Sequence, residues 1–319
     1  MTGGAGFIGS HLASRLLKEG WEVKILDNLS NCRSRSFGHR RSRRLGRAEL
    51  YKGSILNRRL VDRAVADVDA VVHLAAIASV PFSVSNPDVT YRVNVEGTRL
   101  LLNQSVASGV NRFVLASSCA VYGEPLYVPT DELHPANPLS PYAESKLEAE
   151  RACFKDSEWD GLEAVALRLF NVYGPGQADI GYASVISSFA KQLMSRLPLV
   201  VHGDGLQTRD FVHVSDVVEA IWLALNAAEA EGVFNIASGK PVAISELARM
   251  MAELAGVRSS LVFEEPREGD VRRSQGDCTR ARTMLGYSPE VELEDGLDGL
   301  LRGADTTSES RVIEEASVL

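Results

Sequence analysis

The sequence predicts an α/β protein: a doubly wound parallel sheet with a smaller α+β lobe over its carboxyl edge. Three observations carry that prediction. Apolar runs alternate with helical patterns through the first half of the chain. The opening residues, MTGGAGFIGSHL, place Gly3, Gly6 and Gly9 at the head of a helical stretch. The next apolar run, WEVKILD, ends on a carboxylate, Asp27.

Each element follows in order. The runs at 21–27, 68–76, 111–118 and 162–171 are almost continuously apolar. Strands of that kind are buried on both faces, which is the pattern of a parallel sheet covered by helices. Helical patterns at 57–65, 93–108 and 140–154 supply the cover. After Asn171 the rhythm loosens into loops rich in Gly and Pro, YGPGQADIGY and HGDGLQTRD, before the amphipathic helix ISELARMMAELAG. The expected division is a nucleotide-binding domain over 1–170, with 211–237 returning to it, a lobe over 171–302, and a loose tail over 303–319.

Composition narrows the function. The 319 residues are 45% hydrophobic and 24% charged, enough apolar material for a sizeable core. A formal net charge of -8 argues against nucleic-acid binding by the chain as a whole. Seven arginines between 33 and 47 run the other way and read first as a solvated surface loop, with a phosphate or nucleic-acid contact as the alternative. Cys32, Cys119, Cys153 and Cys278 are scattered with no CxxC pair, which argues against a metal site or a disulfide framework. No apolar run reaches the roughly 18 residues of a membrane span, and no basic segment leads into an apolar core at the N-terminus. The expectation is a cytoplasmic protein with no membrane partner.

The glycine spacing has a physical reading. One glycine permits a tight turn, one lets the backbone approach a pyrophosphate, and one lets the helix pack close to the sheet. The helix N-terminus then offers free N–H groups and a partial positive charge to phosphates. Asp27 follows at the spacing where a carboxylate accepts hydrogen bonds from the adenosine ribose, which favours NAD over NADP. Further on, SPYAESKLEAE puts Tyr142 and Lys146 four residues apart, on one helix face. A lysine ammonium there lowers the pKa of a phenol that otherwise titrates near pH 10. LASSCAVYG ends a strand at Ser117 and Ser118, where a hydroxyl can hold a substrate oxygen.

In this order the motifs identify a family. The chain resembles the extended short-chain dehydrogenases/reductases, specifically the NAD-dependent nucleotide-sugar epimerases and dehydratases, from Thr2 to about Gly299. The resemblance rests on TGGAGFIGSHL, DNLS, HLAA, NVEGT, SSCAVYG, YAESK, RLFNVYGPGQ, GDGLQTRDFVHVSDV and PREGDVRRS. It implies a Rossmann fold, NAD as cofactor, and Ser118, Tyr142 and Lys146 as the catalytic triad. It further implies NAD contacts from Gly3, Gly6, Phe7, Ile8, Gly9, Asp27, Asn28, Ser30 and Asn31. Ser54, Ile55, Leu74, Ala75, Ala76, Asn94, Ser117 and Phe170 complete that set, together with Tyr142 and Lys146. A nucleotide-sugar substrate would be held by Ser118, Asn171, Val185, Ile186, His202, Arg209, Arg267, Asp270 and Ser274. The family commonly dimerises through the helices expected at 93–108 and 140–154, so a homodimer is implied.

The resemblance also sorts the chemistry. Family dehydratases carry Thr-Asp-Glu where this chain has Ser118, Cys119 and Ala120, and UDP-glucuronate decarboxylases carry Glu at the last of these. Without a carboxylate to shuttle the proton, elimination is disfavoured and oxidation and reduction at C4 remain: 4-epimerase chemistry on UDP-glucose or UDP-galactose, with another nucleotide-sugar epimerase or reductase of the family, or a non-catalytic NAD-binding sensor, as the alternatives. Seven residues after Arg267, galactose-type epimerases often carry Tyr, where Ser274 would leave room for an N-acetyl group. ASVPFSVSNP also resembles a loop of UDP-N-acetylglucosamine 4-epimerases. Ser54 replaces the family's adenine-binding Asp. Only Met1 and Thr2 precede the glycine turn, so the first strand reads as truncated, with a native start upstream. A chain beginning at Met1 is expected to leave two strand edges open, to retain NAD weakly and to have low stability.

Overall fold

A computed structural model describes residues 1–31, 48–154, 161–177, 184–267 and 269–305. The arginine-rich segment, Cys32 and residues 306–319 of the expected tail lie outside the described residues. The main sheet is parallel and runs β2 (Ala48–Lys52), β1 (Val23–Asp27), then β3 (Ala70–His73), β4 (Arg112–Ser118), β5 (Glu163–Leu169) and β9 (Gly232–Ile236).

Met1 and Thr2 fill the place between β1 and β3. Thr2 bridges Leu26 on one side and His73 on the other. The Thr2 and Gly3 amides donate to Val72 O (2.9 Å) and Leu26 O (3.0 Å), and the Leu26 and Leu74 amides donate back to Met1 O (2.9 Å) and Thr2 O (3.2 Å). Level with the glycine turn, the edges expected to lie open are therefore paired. The chain leaves this stub toward β1 on one side and reaches β3 on the other. The turn thus lies where strand order reverses, the place at which open α/β sheets collect ligands.

Helices cover both faces. On one, α1 (Phe7–Lys18) and α8 (Val214–Asn226) bury Leu12, Leu16, Val217 and Ile221 against Val114, Val165 and Leu167. On the other, α2 (Arg58–Val65), α5 (Gly97–Ala107) and α6 (Pro141–Cys153) bury Val61, Val65, Leu101, Leu102 and Ala149 against Phe113 and Leu115. Asn57 and Ser140 cap α2 and α6: their side chains accept from the amides of Leu60 and Ala143. The stretch expected as one helix over 93–108 is longer and divided. It comprises α4 (Pro87–Tyr91), a π-helical turn (Arg92–Glu96) and α5, preceded by the short α3 (Val80–Ser85). The wide turn buries Asn94 and Val95 side by side.

A third apolar cluster lies beyond the sheet. It joins α7 (Val185–Met194), β7 (Leu199–His202), β8 (Thr208–His213), α9 (Ile244–Leu254) and α11 (Leu293–Asp305) through Phe189, Leu193, Val201, Phe211, Leu247, Met251 and Leu297. Helix α11, which follows the short α10 (Thr279–Leu285), continues into the first residues expected to be tail. β8 pairs in parallel with β6 (Asn171–Tyr173) and antiparallel with β10 (Pro241–Ala243), and β7 pairs with β11 (Leu261–Glu264). No helix among the described residues is long and apolar enough to cross a membrane.

Candidate active site

The glycine turn forms as its spacing requires. Gly3 has φ +68°, and a Cβ there would meet Ala75 N at 2.7 Å. At Gly9 a Cβ would lie 2.1 Å from Gly3 O and 2.7 Å from Gly4 Cα. The Gly6 amide closes the turn onto Gly3 O (3.1 Å). Gly6 is the N-cap of α1 and has no side chain with which to cap it. The amides of the first turn, Phe7 and Ile8 among them, therefore face the space beyond the turn, and no acidic residue occupies that turn. These are the properties of a diphosphate cradle.

Asp27, at the end of β1, closes one side. Its carboxylate accepts from Ala5 N (2.9 Å) and Leu29 N (2.7 Å), which fixes it beside the turn. Asn28, Ser30 and Asn31 follow on an exposed loop, with Asn28 Oδ1 accepting from Ser30 N (3.0 Å). Ser54 Oγ accepts from Leu56 N (3.1 Å), and Ile55 is buried against Gly97. Leu74, Ala75 and Ala76 form the loop after β3, against Gly3. Asn94 holds that loop to α6: Oδ1 accepts from Ile77 N (2.8 Å), while Nδ2 donates to Ile77 O (3.0 Å) and Ser145 Oγ (2.9 Å). Ser145 Oγ in turn donates to Tyr142 O (2.7 Å).

The triad residues converge at the carboxyl ends of β4 and β5. Tyr142 is half-buried and its phenol hydrogen-bonds Ser118. Burial pushes the phenol up to about 12, against the opposing pull of that hydrogen bond. Lys146 is buried and donates to Ala116 O (2.7 Å), and burial lowers its ammonium to about 8 while Glu150 opposes the shift. Among the described residues no carboxylate is a cause of the Tyr142 shift; after burial and Ser118 the remaining cause is Cys119.

Ser117 departs from the expected set. Successive strand residues face opposite ways, and its hydroxyl donates to Glu150, away from Ser118. Glu150 also pairs bidentately with Arg168 (2.7 and 3.0 Å), both side chains buried, with the Arg168 guanidinium over the Tyr122 ring. A pair of this kind is costly to break. It backs the triad one helical turn beyond Lys146.

A cleft of about 260 Å³ opens beside the third apolar cluster. Phe170, Asn171, Val185, Ile186, His202, Arg209, Arg267 and Asp270, all singled out in the sequence, line it, and so does Gln207, which was not. Arg209 is buried, pairs with Asp270, and donates to Thr208 O (2.6 Å). Arg267 is exposed at the rim. Ser274 lies outside the lining. It is buried, and its amide makes a long contact to Thr208 Oγ1 (3.4 Å) at the start of β8. The sequence also passed over Asp210, fully buried beside Arg209. Its carboxylate accepts from Ser238 N and Oγ (2.8 and 2.6 Å), Gly239 N and Gly276 N (both 3.0 Å). It ties two loops to β8 behind the cleft. No group of three or more His, Cys, Asp or Glu among the described residues could hold a metal ion.

A parallel sheet with a glycine cradle at its switch point and a Ser–Tyr–Lys set beside it defines a dinucleotide-dependent enzyme fold. Residues 1–237 match the family described as the NAD dependent epimerase/dehydratase family, and the chain belongs to it. NAD is accordingly its cofactor. The UDP-glucose 4-epimerase of Mycolicibacterium smegmatis is 38% identical over 299 residues, 93% of this chain and 95% of that protein. UDP-glucuronic acid decarboxylase 1 of Xenopus tropicalis is 33% identical over 303 residues, 93% of this chain and 70% of that protein. The crystal structure of UDP-glucose 4-epimerase from Thermotoga maritima with UDP-glucose superposes with a TM-score of 0.88 at 36% identity, covering 97% of this chain and 98% of that one.

Proposed function

We propose that the protein inverts C4 of a UDP-hexose, interconverting UDP-glucose and UDP-galactose and also UDP-N-acetylglucosamine and UDP-N-acetylgalactosamine. The observation that carries this reading is the pair Cys119–Ala120 after Ser118, which puts no carboxylate at that place. Dehydration and decarboxylation need a further acid or base at that place; C4 inversion needs the triad alone.

The residues divide the work. Gly3, Gly6 and Gly9 with the first amides of α1 hold the diphosphate of NAD, and Asp27 holds its adenosine ribose. NAD, when bound, supplies a reversible two-electron acceptor for C4 and a positive charge that favours the Tyr142 phenolate. Tyr142 takes the proton of the 4-hydroxyl and returns it after the 4-keto sugar has turned. Ser118 hydrogen-bonds the same oxygen, and Lys146 favours the charged phenol. Arg209 and Arg267 grip the substrate diphosphate, which leaves the hexose free to swing between its two faces. The segment ASVPFSVSNP, which resembles a loop of UDP-N-acetylglucosamine 4-epimerases, supports acceptance of the acetylated pair. Exposed Phe82, Val84, Val89 and Tyr91 on α3 and α4 support a homodimer through that side of the molecule.

Incubation with UDP-glucose, UDP-N-acetylglucosamine and UDP-glucuronic acid in separate reactions tests the reading. The first two should equilibrate with their C4 epimers, and Tyr142→Phe should lose about 10²- to 10⁴-fold in rate while still binding NAD. Release of CO₂ from UDP-glucuronic acid, or a 4-keto-6-deoxy product from UDP-glucose, would overturn it.

A further inference from the structure

We infer that His73 is a positioning residue that fixes the glycine turn and the Tyr142 helix relative to one another through a directional hydrogen-bond relay that ends on Asn94. His73 ends β3, between the two elements, and is buried with Thr2, Thr98 and Asn94. Its Nδ1 lies 2.7 Å from Thr2 Oγ1 and its Nε2 2.9 Å from Thr98 Oγ1. The inference rests on the proposed roles of the glycine turn and Tyr142.

Counting protons sets the direction. Thr98 has one hydroxyl proton and gives it to Asn94 O (2.6 Å). Toward His73 it can then only accept, so Nε2 carries the ring proton. Nδ1 keeps its lone pair and accepts from the Thr2 hydroxyl, whose oxygen is left to accept from Ala75 N (3.2 Å). Each donor and acceptor in the series is used once with the ring neutral. Burial, reinforced by the Lys146 ammonium, lowers the imidazole to about 3, so the ring stays in that form.

The two ends reach different machinery. At the Thr2 end, the relay holds the loop at Ala75 against Gly3, where the turn is tightest. At the Thr98 end, it meets the carbonyl of Asn94, whose side chain continues to Ser145 and on to the Tyr142 carbonyl. Fully satisfied buried networks of this kind fix one arrangement, and a gap in one is felt along it.

Single-atom changes at each end test the relay separately. Thr98→Val keeps the side-chain shape and removes the hydroxyl; Thr98→Ser restores it. The same pair is made at Thr2, and His73→Phe cuts both ends. NAD affinity is read by fluorescence titration without sugar nucleotide, turnover by UDP-glucose epimerisation per NAD-loaded enzyme, and folding by thermal melts. Thr98→Val should lower kcat about 10-fold with KM and NAD affinity within about 3-fold. Thr2→Val should weaken NAD about 10-fold. Both Ser variants should restore wild-type values. Folded Val variants with wild-type kcat and NAD affinity would overturn the inference, whatever their melting temperatures. If the wild type binds NAD but does not epimerise, the proposed reaction fails; the inference then stands on the Thr2 arm and falls if Thr2→Val binds NAD normally. A wild type that binds no NAD overturns both.

Discussion

The glycine turn and the Arg209 cleft differ in what they present to a ligand. The turn offers backbone amides, and at Gly3 and Gly9 there is no room even for a Cβ. The cleft offers side chains: a buried guanidinium paired with Asp270, an exposed one at the rim, and apolar walls from Val185 and Ile186. A backbone site is fixed by the path of one short segment and admits almost no substitution. A side-chain site is assembled from distant segments and can change partner or size without loss of the fold. On the proposed reading, the part that stays the same in every turnover, the cofactor, sits in the first. The part that must move, the sugar, hangs from the second.

Three measurements would break or sharpen that contrast, taken from the largest expected effect to the smallest. Gly9→Ala drives a methyl into the backbone of Gly3 and Gly4, with no flexible side chain to yield. It should cost about 3 kcal/mol or more and abolish NAD binding, read by chemical denaturation and titration. A variant that binds NAD normally would show the turn to be as adaptable as the cleft.

Lys146 tests what lies between the two regions. Its folded pKa, about 8, is below the ordinary value of 10.5. Between those limits the unfolded chain binds more protons, so this group's contribution to stability rises as pH rises from about 8 to about 10.5. Relative to Lys146→Met, wild type should gain roughly 3 kcal/mol over that window. Denaturant unfolding at several pH values reads the difference, and a flat one would mean that the ammonium is not penalised by its burial.

Arg209→Leu removes the buried cation and strands Asp270. UDP affinity should fall about 30-fold, the equivalent of about 2 kcal/mol, while NAD affinity is unchanged. Calorimetric titration with each ligand reads both. An equal loss of the two would mean that cleft and turn are not separable.

The same difference governs what could be read in advance. The glycine turn, Asp27 and the Tyr142–Lys146 pair are local patterns whose geometry follows from helix and strand periodicity, and they fold as their spacing requires. The convergence of Asn171, His202, Arg209 and Arg267 was legible only through family resemblance, because nothing in the spacing of 171, 202, 209 and 267 brings them together. Ser274 shows the limit of that route: its place in the motif matched, but its side chain belongs to the packing beside β8 rather than to the cleft wall. Ser117 was open to an argument from strand alternation, since only one of two adjacent serines can face the triad. The Glu150–Arg168 pair needed the sheet, because only the register of β4 with β5, Ser117 opposite Arg168, puts the two charges in reach. The same is true of the stub: that two residues suffice to bridge β1 and β3 follows from where the neighbouring amides fall.

The register of β5 with β9 has a consequence for how the chain is made. Val165–Leu169 pair with Gly232–Ile236, and the elements between them include most of the cleft wall. During synthesis the emerging polypeptide therefore carries an unpaired, apolar strand edge until the ribosome has passed residue 236. Long-range parallel pairing of this sort is slow and aggregation-exposed. A nascent chain stalled or cut anywhere from 170 to 231 would keep that edge bare, and such fragments should be chaperone clients rather than half-sized proteins.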